Sequence, residues 1–294
     1  MGDSPLANVS DTARWVAVYR AWESLRPDAL FHDPFAERLA GERGRASAAL
    51  MTRQARNGWP IIARTRLIDD LVIAAIAQGC DCVVNLAAGL DTRPYRLDLP
   101  PTLRWIEADL PDLIAEKQSL LADARPRCEL HRVKVDLADA GARERVLQEA
   151  IGASTQTLVI TEGLLIYLDI ADVRSLAASL TACSGIRWWV MDLASPAVVQ
   201  MMRRSMGRLL ANAPLKFAPP EGVAFFEAFG WTVDRVDSLL HAAARYRRLS
   251  GLLRLFAWFP AADPRRLARA RWSGVVQLTR PLARSAAREA HRDS

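Results

Sequence analysis

The stretch Cys82-Val83-Val84-Asn85-Leu86-Ala87-Ala88-Gly89-Leu90-Asp91-Thr92-Arg93 decides how this chain folds. Its first residues form a short apolar run of strand type, and three small residues follow at once. Small residues ending a first strand let backbone and ligand approach closely, and the turn beyond them aims main-chain N–H groups outward. A tight strand-to-helix turn with no ligand would look the same, so the surrounding sequence has to decide.

Outward from that run, β-rich stretches recur at 82–88, 104–109, 129–135, 157–162 and 186–193. Helical stretches at 110–123, 140–151 and 170–181 separate them, each long enough for a crossover. This alternation predicts a doubly wound, mostly parallel sheet with helices on both faces. Two later strands, at 231–236 and 273–278, would bring the sheet to seven strands in a Rossmann-like α/β fold. Upstream, Trp15, Val18, Tyr19, Trp22 and Leu25 recur at helical spacing until Pro27, and a short helix is expected after Asp33-Pro34. Ile61, Leu67, Ile68, Leu71, Val72 and Ile76 predict a longer helix that Gly79 closes. Residues 1–79 therefore read as a helical segment packed on a core formed by 80–294. An insertion at about 195–230 is expected to cap the site, with helices at 196–210 and 221–229 joined by a Pro-rich stretch at 212–220. Within 241–260, Leu249, Leu252, Leu253 and Phe256 are expected to face the core, the alternative being a hydrophobic entrance.

Composition narrows the class. The chain has 294 residues, 51% of them hydrophobic, enough for a large core in one elaborated domain. Its net charge is +6, and all its basic residues but Lys117, Lys134 and Lys216 are Arg, which points to compositional bias more than to a nucleic-acid surface. Arg265, Arg266, Arg269, Arg271, Arg280, Arg284, Arg288 and Arg292 crowd the end of the chain and read as a solvated face. Residues 1–10 lack the charged head and apolar stretch of a secretory signal, so a cytoplasmic protein is expected. The most apolar segment, 249–260, is interrupted by Arg254 and falls short of the roughly 20 residues that span a bilayer, so no membrane partner is expected. Cys80, Cys82, Cys128 and Cys183 have no paired C-x-x-C spacing and read as buried thiols, with no metal expected.

The ends of the predicted strands carry the chemistry. Asp109 ends the second strand, twenty residues beyond Gly89, where a carboxylate can accept both ribose hydroxyls; this implies an adenosine-containing cofactor. Asp136 and Leu137 end the third strand and offer a carboxylate beside an apolar neighbour, suited to adenine; a helix cap is the alternative for Asp136. Glu162-Gly163 ends the fourth. Four polar strand ends on one edge point to a single pocket.

The chain resembles the leucine carboxyl methyltransferase family, which includes bacterial polyketide carboxyl methyltransferases and many mycobacterial methyltransferases. The resemblance is carried by Thr12-Ala13 through Arg20-Ala21-Trp22-Glu23-Ser24, Asp33-Pro34-Phe35-Ala36, Arg64-Thr65-Arg66-Leu67-Ile68-Asp69-Asp70 and Leu86 to Arg96. Glu107 to Pro111 with Lys117, Val135-Asp136-Leu137 and Glu162 to Leu168 extend it over nearly the whole length. It implies S-adenosylmethionine as cofactor and O-methylation of a carboxylate, or a phenol, on a hydrophobic small molecule such as a polyketide-type product. By the same resemblance, Ala87, Ala88 and Gly89 approach the methionine part, Asp109 with Leu110 takes the ribose, and Asp136 and Leu137 take the adenine. Arg64 pairs with the cofactor carboxylate, a salt bridge within the protein being the alternative, and Glu162 lies near the amino group or sulfonium. The family usually has Gly where this chain has Ala87.

A carboxylate acceptor, with a pKa of about 4, needs no general base. None of His32, His131, His241 and His291 lies in a strand-end motif. A phenol or alcohol would need a base, and the candidates are Glu162, Asp192 and, as a positioning group, Tyr167. Asp192 could also cap the next helix. Trp15, Tyr19, Trp22, Met201, Met202 and Phe217 are expected to line the acceptor pocket, which favours a hydrophobic acid. Trp188 and Trp189 read as packing residues. Other functions compete: RNA methylation, suggested only by the basic tail and without a recognisable RNA module, a catalytically impaired S-adenosylmethionine binder, suggested by Ala87, and an NAD(P)-dependent oxidoreductase. The last is disfavoured, because G-x-G-x-x-G is absent and no tyrosine has Lys four residues on. Nucleic acid is not expected as a partner, and the sequence leaves a homodimer open.

Overall fold

Near-continuous apolar runs at 82–86, 157–161 and 186–194 build the centre of a sheet that is buried on both faces. The computed structural model describes residues 9–52, 58–152, 154, 156–206 and 213–280. Its elements run α1 (Val9–Ser24), α2 (Ala36–Thr52), α3 (Trp59–Ala77), β1 (Cys82–Leu86), α4 (Arg93–Arg96), β2 (Arg104–Asp109), α5 (Pro111–Leu120) and β3 (Glu129–Lys134). They continue α6 (Ala140–Ile151), β4 (Thr157–Thr161), a 3-10 turn (Leu165–Tyr167), α7 (Ile170–Ala182), β5 (Ile186–Ala194) and α8 (Pro196–Met206). The last are α9 (Ala224–Glu227), β6 (Thr232–Ser238), α10 (Leu239–Arg245), α11 (Leu253–Phe256) and β7 (Ser273–Thr279).

The strand order is β3-β2-β1-β4-β5-β7-β6. The first five strands pair in parallel, and β7 is antiparallel to both β5 and β6. This is the seven-stranded, mostly parallel α/β fold expected from the sequence. The order reverses between β1 and β4, so the crevice outside their carboxyl ends is where such a sheet takes a ligand.

Alternation sorts the strand residues between two cores. Val83, Trp105, Leu158, Trp188 and Val275 pack under Leu67, Ile68, Leu71 and Val72 of α3 and Ala242 and Ala243 of α10. Val84, Ile106, Val159, Trp189 and Val276 face α6, α7 and Phe217, Phe225, Phe226 and Trp231. Trp188 and Trp189 thus fill opposite faces as packing residues. Because α3 shares its core with β1, β2 and β4, the helical segment at 1–79 and the sheet have no apolar boundary at α3. Asp139 and Asp169 cap α6 and α7 by accepting backbone N–H bonds, from Ala142 at 3.1 Å and from Ala171 and Asp172 at 3.0 Å. The thiols of Cys80 and Cys128 are pushed up to about 12 by burial, so they stay protonated.

Three expectations need correction. The helix expected at 221–229 is only the single turn α9, because Gly222 sits at φ +56° where a Cβ would meet the Pro264 carbonyl oxygen at 1.9 Å. Its phenylalanines enter the sheet core directly. Of the four apolar residues assigned to the core in 241–260, only Leu249 is buried; Leu252, Leu253 and Phe256 are exposed. The Arg-rich end is only partly a solvated face, since Arg280 donates to the carbonyls of Leu180 and Thr181 and covers the Trp231 ring. Arg284, Arg288, Arg292 and His291 lie outside the described residues, as do residues 1–8 and the end of the helix expected at 196–210. Among the described residues, no helix is long and apolar enough to cross a membrane.

Candidate active site

β1 ends in a turn whose backbone needs a left-handed conformation twice. Ala87 has φ +57° and Gly89 φ +50°. Glycine takes that conformation at little cost, whereas an L side chain pays roughly 1–2 kcal/mol. Ala87 therefore keeps the turn's shape with its methyl group in place and carries the strain. Its N–H donates to the Ala108 carbonyl at 2.8 Å, tying the turn to β2.

Asp109 closes this arrangement. Its Oδ2 accepts the Gly89 N–H at 2.6 Å, and its Oδ1 accepts the Leu110 N–H at 2.7 Å. Burial pushes its carboxyl above the ordinary value, opposed by those two N–H groups. An ionised carboxylate offers about four lone-pair sites, so two stay available to a ligand. Behind it, Lys117 Nζ donates to Glu107 Oε1 at 2.7 Å with both side chains fully buried, and Arg132 Nε donates to Glu107 Oε2 at 2.9 Å. That ion pair anchors α5 to β2.

The end of β3 adjoins this site, because the Val135 N–H donates to the Asp109 carbonyl at 2.9 Å. Asp136 is exposed and accepts the Ala138 N–H at 2.9 Å, while Leu137 is buried. Asp136 thus caps a turn, and Asp139 takes the helix.

At the end of β4, Glu162 is held between two arginines. Arg93 Nη1 donates to Oε2 at 2.9 Å, and Arg64 Nε lies 2.9 Å from Oε1. Burial alone would raise the Glu162 carboxyl, but Arg93 and then Arg64 overcome it and hold the group below the ordinary value. Arg64 Nη1 donates to Asp192 Oδ2 at 3.0 Å, and the Gly163 N–H donates to Asp192 Oδ1 at 2.6 Å. Arg64 Nε is buried yet has no hydrogen bond of good geometry. In the structure Arg64 therefore makes the intramolecular pairs posed as its alternative role, with N–H capacity unspent. Asp192 lies within β5 and does not cap α8; the Ser195 hydroxyl accepts the Val198 N–H instead.

The sequence reading missed the second layer. Arg93 Nε donates to Asp69 at 2.7 Å, its Nη1 also reaches Asp91 at 3.0 Å, and Arg96 forks onto both oxygens of Asp69 at 2.6 and 2.7 Å. The three charges within the short run 91–96, so close to a strand end, were the available signal.

α1 lies over the same edge. A Cβ on Gly89 would meet Ala13 at 3.3 Å, and Arg20 Nη2 donates to the Leu90 carbonyl at 2.5 Å. Trp15, Ile166, Tyr167 and Met202 pack around Val199 and Leu215, forming an apolar wall between α1 and α8. Tyr167 is largely buried, which raises its hydroxyl's pKa, while its hydrogen bond with Thr12 works against that. Trp15 Nε1 and the Tyr19 hydroxyl are buried next to each other, and neither makes a hydrogen bond of good geometry among the described residues. Of the other residues expected to line the pocket, Trp22 and Met201 are exposed, and Phe217 sits in the sheet core against Phe225 and Phe226. Among the described residues, no group of three or more His, Cys, Asp and Glu side chains could hold a metal ion.

The family model for leucine carboxyl methyltransferase matches residues 13–181, from α1 to the end of α7. A "putative S-adenosyl-L-methionine-dependent methyltransferase" of Parafrankia sp. (strain EAN1pec) is 35% identical over 275 residues, covering 87% of each chain. One of the same description from Frankia alni is 34% identical over 253 residues, covering 81% of this chain and 87% of the relative. A crystal structure of a "putative methyltransferase" from Thermobifida fusca YX superposes with a TM-score of 0.60 at 15% identity, over 95% of this chain and 97% of the other, which supports the fold. The chain belongs to the leucine carboxyl methyltransferase family and is an S-adenosylmethionine-dependent methyltransferase.

Proposed function

We propose that this enzyme methylates a carboxylate oxygen on a hydrophobic small-molecule acid. The observation that carries this reading is that neither strand-end carboxylate beside the apolar wall is available as a base. Glu162 is paired with Arg93 and Arg64, which hold its carboxyl below the ordinary value and so make it a weak base, and Asp192 is tied to the Arg64 guanidinium and the Gly163 N–H. Tyr167 is held as a neutral phenol by burial. A site without a free base suits an acceptor that is already ionised at neutral pH.

The residues present fit the cofactor. S-adenosylmethionine supplies a methyl group on a sulfonium, electrophilic without further activation. In this proposal Asp109 uses its two remaining lone-pair sites for the ribose hydroxyls, with Leu110 beside it, and Asp136 and Leu137 border the adenine. Ala87, Ala88 and Gly89 give the methionine part a close backbone approach. The unspent N–H groups of Arg64 receive its carboxylate, and Glu162 faces its positive charge. The buried donors Trp15 Nε1 and Tyr19 Oη lie beside the apolar wall, where an acceptor carboxylate would satisfy them. Catalysis then consists of holding the acceptor oxygen in line and excluding water, with α1 and α8 as walls.

Transfer of tritiated methyl groups to a panel of hydrophobic carboxylic acids and phenols tests this. The expected product is a base-labile ester, with kcat flat across neutral pH. A base-stable ether, with a rate rising toward the phenol pKa, would overturn it.

A further inference from the structure

One apolar segment near the carboxyl edge stays outside the core except at Ala257. Residues 251–260, Gly-Leu-Leu-Arg-Leu-Phe-Ala-Trp-Phe-Pro, form successive turns around α11 that present their apolar side chains outward. Trp258 is 84% exposed, Leu252 74%, Phe259 68% and Phe256 60%. Burying even one such side chain is worth roughly 1.5–3 kcal/mol, so four left in water on one short segment call for a partner.

The fold puts this segment on the same rim as the active site. β6 ends at the carboxyl edge, and α10 follows it. His241, in the first turn of α10, has its Nε2 2.9 Å from the Phe259 carbonyl oxygen. At the other side, Arg247 to Ser250 line a small cavity of about 210 Å³ with Gly58 and Trp59, at the start of α3 and a few residues before Arg64. The segment returns to Ser273, which pairs with Ala194 at the carboxyl end of β5.

Charge then selects the occupant. From 245 to 271 the sequence has eight arginines and one acidic residue, Asp263. Arg248 is taken up by Glu23 and Asp28, Arg245 by Asp237 and Arg265 by Glu227. Arg266 comes within 4.0 Å of Asp263, while Arg247, Arg254, Arg269 and Arg271 are exposed and form no ion pair among the described residues. Exposed Trp, Phe and Leu set among arginines with almost no acidic group match the interface of an anionic bilayer: aromatic rings sit at headgroup depth, and arginines meet the phosphates. A protein partner would more often face a rim of mixed charge.

We propose that residues 252–259 dock the enzyme peripherally on an anionic lipid surface, with the active-site rim turned toward it. The contact is interfacial and involves no membrane-spanning segment. It holds whichever acceptor is methylated, and it places an apolar acceptor dissolved in the bilayer next to the site.

The test is co-sedimentation of the full chain with vesicles of phosphatidylcholine alone and of phosphatidylcholine with phosphatidylglycerol, at low and high salt. Binding is expected only to the anionic vesicles and to weaken with salt. The double substitution W258S/F259S is expected to lower the partition coefficient tenfold or more, and R254E severalfold. Both variants are expected to keep the wild-type melting temperature and affinity for S-adenosylhomocysteine, since none of these residues touches core or site. Absence of binding to anionic vesicles, or undiminished binding by W258S/F259S, would overturn the proposal. So would light scattering that finds a dimer for the wild type and a monomer for W258S/F259S, because the patch would then be covered by a second copy of the chain.

Discussion

Arg93 Nη1 donates to Glu162 Oε2 at 2.9 Å, joining the turn after β1 to the end of β4 across the point where the strand order reverses. The two residues are 69 positions apart in sequence, yet this bond ties the two sides of the crevice together. Glu162 in turn reaches Arg64 and, through it, Asp192, so one charged chain spans β1, β4 and β5.

That chain makes stability depend on acid. The Glu162 carboxyl titrates below its ordinary value in the folded protein because Arg93 and Arg64 outweigh the effect of burial. Its contribution is therefore complete above the unfolded carboxylate pKa of about 4.3 and is lost as pH falls through the lower folded value. Urea unfolding midpoints measured from about pH 3 to about pH 7 are expected to drop at the acid end, and Glu162→Gln is expected to flatten that drop. The substitution is expected to cost roughly 2–3 kcal/mol at neutral pH, less than the ~3–5 of a broken buried pair, because Arg93 keeps Asp91 and Asp69. A steep acid limb that survives in the variant would assign the effect to other carboxylates.

Ala87 offers a test with the opposite sign. Its φ of +57° is strained for any L side chain. Ala87→Gly is expected to stabilise the protein by about 1 kcal/mol, the relief of strain exceeding the added freedom of the unfolded chain. For a domain of this size that raises the melting temperature by roughly 2–4 °C. Cofactor affinity measured by calorimetry is expected to hold or tighten; a lower melting temperature would mean that the methyl group makes a packing contact outweighing its backbone cost.

The buried pair behind Asp109 is expected to be the most sensitive point of the cofactor half. Lys117→Met leaves Glu107 paired only with Arg132 and is expected to cost roughly 3 kcal/mol, at the low end for an uncompensated buried charge. Adding Glu107→Leu is expected to recover part of the loss, because no half-paired carboxylate is then buried and Arg132 keeps the Tyr95 hydroxyl. Chemical denaturation of both variants checks this, and no recovery would place the cost in packing.

Asp109→Ala is expected to weaken S-adenosylhomocysteine binding by roughly 1–3 kcal/mol, through the loss of an acceptor for buried hydroxyls. It also frees the Gly89 and Leu110 N–H groups, so Asp109→Asn, which keeps an acceptor there, is expected to fall between the two. Calorimetric titration decides; unchanged affinity in Asp109→Ala would move the ribose elsewhere.

The sheet was legible in the sequence because its signals are local. β1, β4 and β5 are short apolar runs, β2 ends in an acidic residue, and the crossovers after β2, β3 and β4 have helical spacing, so β2 and α6 fall on the expected residues. The positions of Asp109, which ends β2, and of Gly89, in the turn just beyond β1, were legible for the same reason. The rest depends on contacts far apart in sequence. Nothing near Arg64 indicates that Asp192, 128 residues on, will take its Nη1. Leu252, Leu253 and Phe256 read as core because burial is the usual fate of such residues, and composition does not say which side of the chain a partner occupies. The helix expected at 221–229 fails at Gly222 because the turn at Pro264 passes there, a neighbour 42 residues away.

The central claim is that one pocket on the carboxyl edge gathers Arg64, Gly89, Asp109, Asp136 and Glu162 around a single nucleoside cofactor. A crystal structure with bound S-adenosylhomocysteine tests it most directly. The ribose hydroxyls are expected on the Asp109 carboxylate, the adenine between Asp136 and Leu137, and the amino-acid end within reach of Arg64 and Gly89. Cofactor density away from that edge, or an Asp109 carboxylate that touches only its own backbone neighbours in the complex, would contradict it.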